Sequence, residues 1–125
     1  MHVLRQPGRA LAGLLVAGLL ACPARAETAA RRVVSMNPSL TRIAVALGAR
    51  EALVGVDEFS ARAEPAVADL PRVGGLYSPS LEAVVALRPD LVVLVPSAEQ
   101  RKFRARLEAL GVAVLALAPD PVGFD

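Results

Sequence analysis

The chain has 125 residues, a formal net charge of +2, 54% apolar residues and only 3% aromatic ones. That is enough for one small domain with a modest core. The absence of a basic stripe interleaved with aromatics excludes a nucleic-acid surface.

The first 26 residues have the three parts of a bacterial export signal. Arg5 and Arg9 form a basic head. Ala10 to Ala21 is an apolar run of 12 residues, short of the roughly 20 that span a bilayer. Ala24-Arg25-Ala26 sets small residues where a signal peptidase cuts. The expected division is therefore an export signal over 1–26 and one domain over 27–125. Leu19-Leu20-Ala21-Cys22 also resembles a lipobox, so a lipid anchor is expected only if Cys22 is acylated; Leu20 and Pro23 fit that pattern poorly. Cleavage after Ala26 removes Arg5, Arg9 and Arg25 and leaves the two charge signs nearly balanced. It also removes His2 and Cys22, the only histidine and the only cysteine. The remaining domain then has no disulfide, no Cys/His metal or haem ligands and no Ser-His-Asp or Cys-His centre. No resident cofactor or metal is expected.

Val33 to Met36 predicts a buried strand. Asn37-Pro38 reads as an N-cap followed by proline at the first helical position. Leu40, Ile43, Ala44 and Leu47 fall on one face of the helix behind it, and Gly48 suits its left-handed end. Leu53 to Val56 is a second strand. Asp57 to Pro71 predicts a loop with one helical turn near Ala66 to Asp69, and Arg72-Val73-Gly74 a short strand. Gly75 to Pro79 is turn-rich. A helix then starts at Ser78 or Ser80, turns Leu81, Val84 and Val85 inward, and ends near Leu87, since Arg88 precedes a proline. Leu91 to Val95 is the clearest strand. Ser97-Ala98-Glu99-Gln100 fits a capping box. The helix behind it places Phe103, Leu107 and Leu110 on one side and ends at Gly111. Val112 to Leu117 is the last strand.

Continuously apolar strands alternating with helices predict an α/β fold, a small open, mostly parallel sheet flanked by helices. In such sheets ligands meet the loops at the carboxyl ends of the strands. Those loops offer Asn37, Ser39, Asp57, Phe59, Leu76, Tyr77 and Ser97 as candidate ligand contacts. Helix capping also accounts for Asn37 and Ser97, and turn solvation for Asp57. Tyr77, the sole tyrosine, faces either ligand or core. Glu82, in a first helical turn, is by itself a favourable charge–dipole placement. No G-x-G-x-x-G and no P-loop is present, and no nucleophile–base pair is suggested by spacing, so an enzyme is not expected.

The ordered segments VVSMNPSLTRIAVALGAREALVGVDEF, LPRVGGLYSPSLEAVVALRPDLVVL and LEALGVAVLAL resemble the N-terminal lobe of periplasmic substrate-binding proteins of the cobalamin and iron–siderophore type, which serve ABC importers. The resemblance covers nearly all of 32–125. It implies one of two similar α/β lobes joined by a rigid helix, with the ligand, a corrinoid or small-molecule chelate, held between them in the periplasm. It implies that Glu82 docks on the importer's membrane subunits through their arginines. Leu76 and Tyr77 fall where the family places ligand-facing side chains. The aromatic that cobalamin binders often carry near Leu76, and the axial tyrosine that haem binders place close to Gly75, are not matched. The sequence ends about where the linking helix is expected to begin, so a truncated binding component is expected. The competing expectation is an exported α/β scaffold or interaction protein without a small ligand.

Overall fold

The computed structural model describes residues 29–118; the expected export signal, with Cys22, lies outside the described residues. Strands β1 (Val33–Ser35), β2 (Leu53–Val56), β3 (Leu91–Leu94) and β4 (Val114–Ala116) form one parallel sheet in the order β2-β1-β3-β4. Helices α1 (Pro38–Ala46), α2 (Glu58–Ala63), α3 (Leu81–Ala86) and α4 (Ala98–Ala109) connect them, with 3-10 turns at Arg50–Ala52 and Pro65–Val67. This is the expected α/β class.

Local chemistry sets the helix ends. Asn37 Oδ1 accepts the N–H groups of Ser39 (2.8 Å) and Leu40 (3.4 Å) to open α1. Ser80 Oγ and Ser97 Oγ each accept the N–H three residues on, both at 3.2 Å, to open α3 and α4. Such caps satisfy donors that the helix itself leaves unpaired. Gly48 (φ 78°) and Gly111 (φ 79°) follow α1 and α4 in the left-handed region, as a helix stop requires. At the end of α3 the left-handed residue is Arg88 (φ 49°). There the Arg32 guanidinium donates to the carbonyl of Leu87 at 2.6 Å and of Arg88 at 3.2 Å, a cation on the negative end of the helix. Asp90 Oδ2 accepts the N–H groups of Arg31 and Arg32, both at 2.9 Å, and so ties the start of β1 to the start of β3.

The step from β1 to β2 runs one way along the sheet and the step from β3 to β4 runs the other. With right-handed crossovers, α1 covers one face and α3 and α4 the other, and α2 packs beside α1. The core divides accordingly. Val34, Met36, Val73, Val84, Val92, Leu94, Phe103 and Leu107 form the cluster under α3 and α4. Leu53, Val56, Ala61 and Val67 form the cluster under α1 and α2.

Four expectations are corrected. Glu58–Ala63 is a helix and not a loop. Its buried residues are Ser60 and Ala61, too small and polar to leave a hydrophobic period. Arg72 and Gly74 make isolated bridges, to Val56 and Pro79, in place of a strand. In α1 the inward residue is Thr41, while Ile43 and Leu47 are 54% and 79% exposed. Thr41 wins because its hydroxyl joins a polar chain beneath the helix: it donates to Ser35 Oγ and meets Ser60 Oγ, each at 2.8 Å. Val85 and Leu110 are also exposed, although expected inside.

This register has a measurable consequence. Thr41→Val keeps the shape but removes the buried hydroxyl, and is expected to cost about 1–2 kcal/mol in urea unfolding. Leu47→Ser is expected to stay within about 0.5 kcal/mol of the parent. The reverse order would refute the Thr41-inward register.

Candidate functional site

Because β1 and β3 are neighbours whose connections leave in opposite directions, their carboxyl ends frame a topological switch point, where open α/β sheets hold ligands. A cavity of about 130 Å³ lies there, lined by Asn37, Leu76, Tyr77, Val95, Ser97 and Gln100. Four of the seven expected ligand contacts therefore come together: Asn37, Leu76, Tyr77 and Ser97.

Two walls are the capped starts of α1 and α4, held by Asn37 and Ser97. The third is the loop carrying Leu76 and Tyr77. Its base is fixed by three backbone hydrogen bonds: Val73 N–H to Val56 O at 2.9 Å, Ser80 N–H to Val73 O at 2.9 Å, and Glu58 N–H to Gly74 O at 3.0 Å. Gly74 has φ 101°, and a Cβ there would stand 2.6 Å from the Ser78 carbonyl oxygen, so only glycine makes this turn. The loop holds Leu76 half-buried and leaves Tyr77 80% exposed, an aromatic face directed away from the core.

Gln100 was not among the expected contacts. It is 3% exposed. Its Nε2 reaches the Met36 carbonyl at 3.5 Å, and its Oε1 is the one buried side-chain nitrogen or oxygen among the described residues without a hydrogen-bond partner. Such an orphan costs about 1–3 kcal/mol. The signal for it was present and was absorbed by the capping box. Only half of that box forms: Ser97 Oγ caps the Gln100 N–H, while the Ser97 N–H goes to the Val95 carbonyl at 2.8 Å. The glutamine side chain is thus released from capping.

The other expected residues lie elsewhere. Asp57 is fully buried, not solvated. Its Oδ2 accepts the N–H groups of Phe59 and Ser60, both at 3.1 Å, and its Oδ1 accepts the Ser60 hydroxyl. It anchors α2 from below and does not line the cavity. Phe59, 48% exposed, and Ser39, exposed, do not line it either. Ser39 instead borders a second hollow with Leu40, Ile43 and Leu117 that shares Asn37 and Val95 with the first. Glu82 is exposed in the first turn of α3 beside an apolar groove of about 390 Å³ formed with Leu81, Val85, Ala86 and Leu110. No cluster of three or more His, Cys, Asp or Glu suited to a metal occurs among the described residues.

A parallel sheet with a cavity at its switch point, walled by uncharged polar and apolar side chains, is the arrangement in which open α/β sheets hold ligands. The model of the periplasmic binding protein family matches residues 33–124, and the chain belongs to that family. The vitamin B12-binding protein of Yersinia pestis is 35% identical over 114 residues, which is 91% of this chain and 39% of that protein. The vitamin B12-binding protein of Vibrio campbellii is 35% identical over 68% of this chain and 30% of its own length. The chain thus spans roughly three to four tenths of the curated relatives it matches. Among solved structures, the periplasmic vitamin B12 binding protein of Vibrio cholerae superposes with a TM-score of 0.63 at 31% identity, over 70% of this chain and 34% of that one. The periplasmic heme-binding protein of Roseiflexus sp. RS-1 gives 0.65 at 33% identity, again over 70% and 34%.

The buried carboxylate can be tested directly. Asp57→Ala is expected to lose about 2–4 kcal/mol of unfolding free energy, since it removes the α2 cap and the carboxylate that accepts the Ser60 hydroxyl. A loss under about 0.5 kcal/mol in a urea titration would mean that α2 does not depend on it.

Proposed function

We propose that this chain is the N-terminal lobe of a periplasmic substrate-binding component of an ABC importer, with cobalamin or an iron–siderophore-type chelate as its ligand. It is a binder and not a catalyst. The leader 1–26 exports it, with processing after Ala26. The observation that carries the reading is the switch-point cavity lined by Asn37, Leu76, Tyr77, Val95, Ser97 and Gln100.

Its volume of about 130 Å³ is below the roughly 300–1,000 Å³ of a whole small-molecule pocket. It suits the edge of a larger ligand, lying against one wall of a cleft. Tyr77 offers a nearly free aromatic face for a planar macrocycle, with Phe59 and Ser39 further along the same end of the sheet. The names of the relatives, vitamin B12-binding and heme-binding, support this ligand class.

Glu82 is the proposed docking contact. It joins an exposed carboxylate to the apolar groove of Leu81, Val85, Ala86 and Leu110, a surface fitted to an arginine flanked by apolar side chains on the membrane subunits.

Two experiments test these roles separately. Cyanocobalamin or a ferric siderophore is expected to raise the melting temperature of the chain by mass action, and Tyr77→Ala to remove most of that rise. If neither ligand produces any shift at millimolar concentration, the scaffold reading gains. Glu82→Arg is expected to keep the ligand-dependent shift while lowering cross-linking to the importer's membrane subunits about tenfold or more; undiminished cross-linking would end the docking assignment.

A further inference from the structure

We infer that Asp57 is a positioning residue of the switch-point cavity: without lining it, Asp57 sets the spacing of two of its walls, the Asn37 wall and the loop of Leu76 and Tyr77, and leaves the Ser97 wall independent. The inference rests on the proposed ligand-binding role and adds the residues that hold the binding surface in shape.

Two routes lead from Asp57 to the cavity. The first ends at Asn37. The Asp57 N–H donates to the Ser35 carbonyl at 3.0 Å, two residues before Asn37. Its Oδ1 accepts the Ser60 hydroxyl, Ser60 Oγ lies 2.8 Å from Thr41 Oγ1, and Thr41 Oγ1 lies 3.1 Å from the Asn37 carbonyl oxygen. The second route ends at the loop. The N–H of Glu58, the next residue, donates to the Gly74 carbonyl at 3.0 Å. Gly74 is packed so closely that a Cβ there would stand 2.6 Å from the Ser78 carbonyl oxygen and 3.0 Å from the Ser80 nitrogen. A base this tight passes a displacement on to the loop and does not absorb it.

The remaining wall is built without α2. Ser97 Oγ accepts the Gln100 N–H, the Ser97 N–H donates to the Val95 carbonyl, and Gln100 Nε2 faces the Met36 carbonyl. None of these bonds includes a residue of α2 or its cap. Two walls therefore share one strut and the third stands apart.

The strut does more than cap a short helix. For that purpose the carboxylate needs only the N–H groups of Phe59 and Ser60. The further link through Ser60 to Thr41 carries the position of Asp57 across to α1, and Ser35, Thr41, Asp57 and Ser60 are all buried. Hydrogen bonds fix both distance and direction, where apolar contacts allow sliding. A binding surface needs its walls held to about 0.5 Å by such support, since a chain whose walls are correctly spaced only part of the time binds in proportion to that part.

The test follows amide hydrogen exchange in the whole chain, labelled with ¹⁵N. Three N–H groups report the three walls: Ser39, capped by Asn37; Glu58, bonded to Gly74; and Gln100, capped by Ser97. Ser60→Ala cuts the strut between Asp57 and Thr41. It is expected to speed exchange at Ser39 and Glu58 by about fivefold or more, with Gln100 within about twofold of the parent. Val67→Ala weakens the same core cluster without touching the strut, and is expected to move all three alike. If Ser60→Ala does not fold, Thr41→Val and Thr41→Ser decide: loss of the hydroxyl reproduces the selective loosening, and the serine hydroxyl prevents it. Uniform acceleration, no acceleration, or the same selective pattern in Val67→Ala overturns the inference and leaves Asp57 as a helix cap. Cyanocobalamin separates the two levels of argument. Ser60→Ala is expected to weaken its binding by about fivefold or more. Selective loosening in a chain that binds neither cyanocobalamin nor a ferric siderophore supports the positioning role and counts against the importer-ligand reading. Equal cyanocobalamin binding by parent and Ser60→Ala keeps the ligand reading and overturns the positioning role.

Discussion

The structure depends on the central position of β1, a strand of only three residues, Val33–Ser35, paired on both sides. Val34 and, just beyond the strand, Met36 are buried in the cluster under α3 and α4. Ser35, which alternates to the other face, begins the hydroxyl chain under α1. One short strand therefore registers both cores. It also fixes the site, because the strand that separates the two directions of chain travel is the one that leads into Asn37, next to the end of β3, which leads into Val95 and Ser97. Move β1 by one residue and its apolar and polar positions exchange faces, and the crevice loses its wall.

The face under α1 and α2 is held differently from its opposite. Its apolar cluster is small, with Leu53, Val56, Ala61 and Val67, and beside it runs a continuous buried chain from Ser35 through Thr41 and Ser60 to Asp57. The burial of an isolated carboxylate is costly. Here two backbone N–H groups and a hydroxyl compensate it, and in return the short helix α2 has one orientation relative to α1. Apolar side chains of the same volume would fill the space without dictating that orientation. The price of such a network is that every member must be present, which is why Thr41 and not Leu47 faces inward.

How much of this was legible follows from what kind of signal each element leaves. The four strands and three longer connections were readable because apolar runs, proline positions and glycine stops are local. β2 was placed at the residues it occupies, and Gly48 and Gly111 stop helices as expected. The inward face of α1 was not readable, since periodicity favours Ile43 and Leu47 and cannot see that Ser35 and Ser60 wait beneath Thr41. Helix α2 left no apolar period at all. In the site, Asn37, Leu76, Tyr77 and Ser97 were found from their places at strand ends. Asp57 shared that place, yet its side chain turns back under α2, a direction no linear pattern encodes. Gln100 was hidden for the opposite reason: the Ser-x-x-Gln pattern offered a complete local explanation that the folded chain uses only in part.

The vitamin B12-binding and heme-binding structures resemble this chain to a similar degree, with TM-scores of 0.63 and 0.65 at 31% and 33% identity, so overall likeness does not separate the two kinds of relative. Nor does charge at the crevice. Its lining carries no charged side chain, yet two of its walls are helix N-termini, which favour anionic groups and polar acceptors alike. What the chain dictates is shape. The caps at Asn37 and Ser97 and the Gly74 turn hold the three walls in place, so the crevice is defined by where the backbone sets those walls and not by a charge within it.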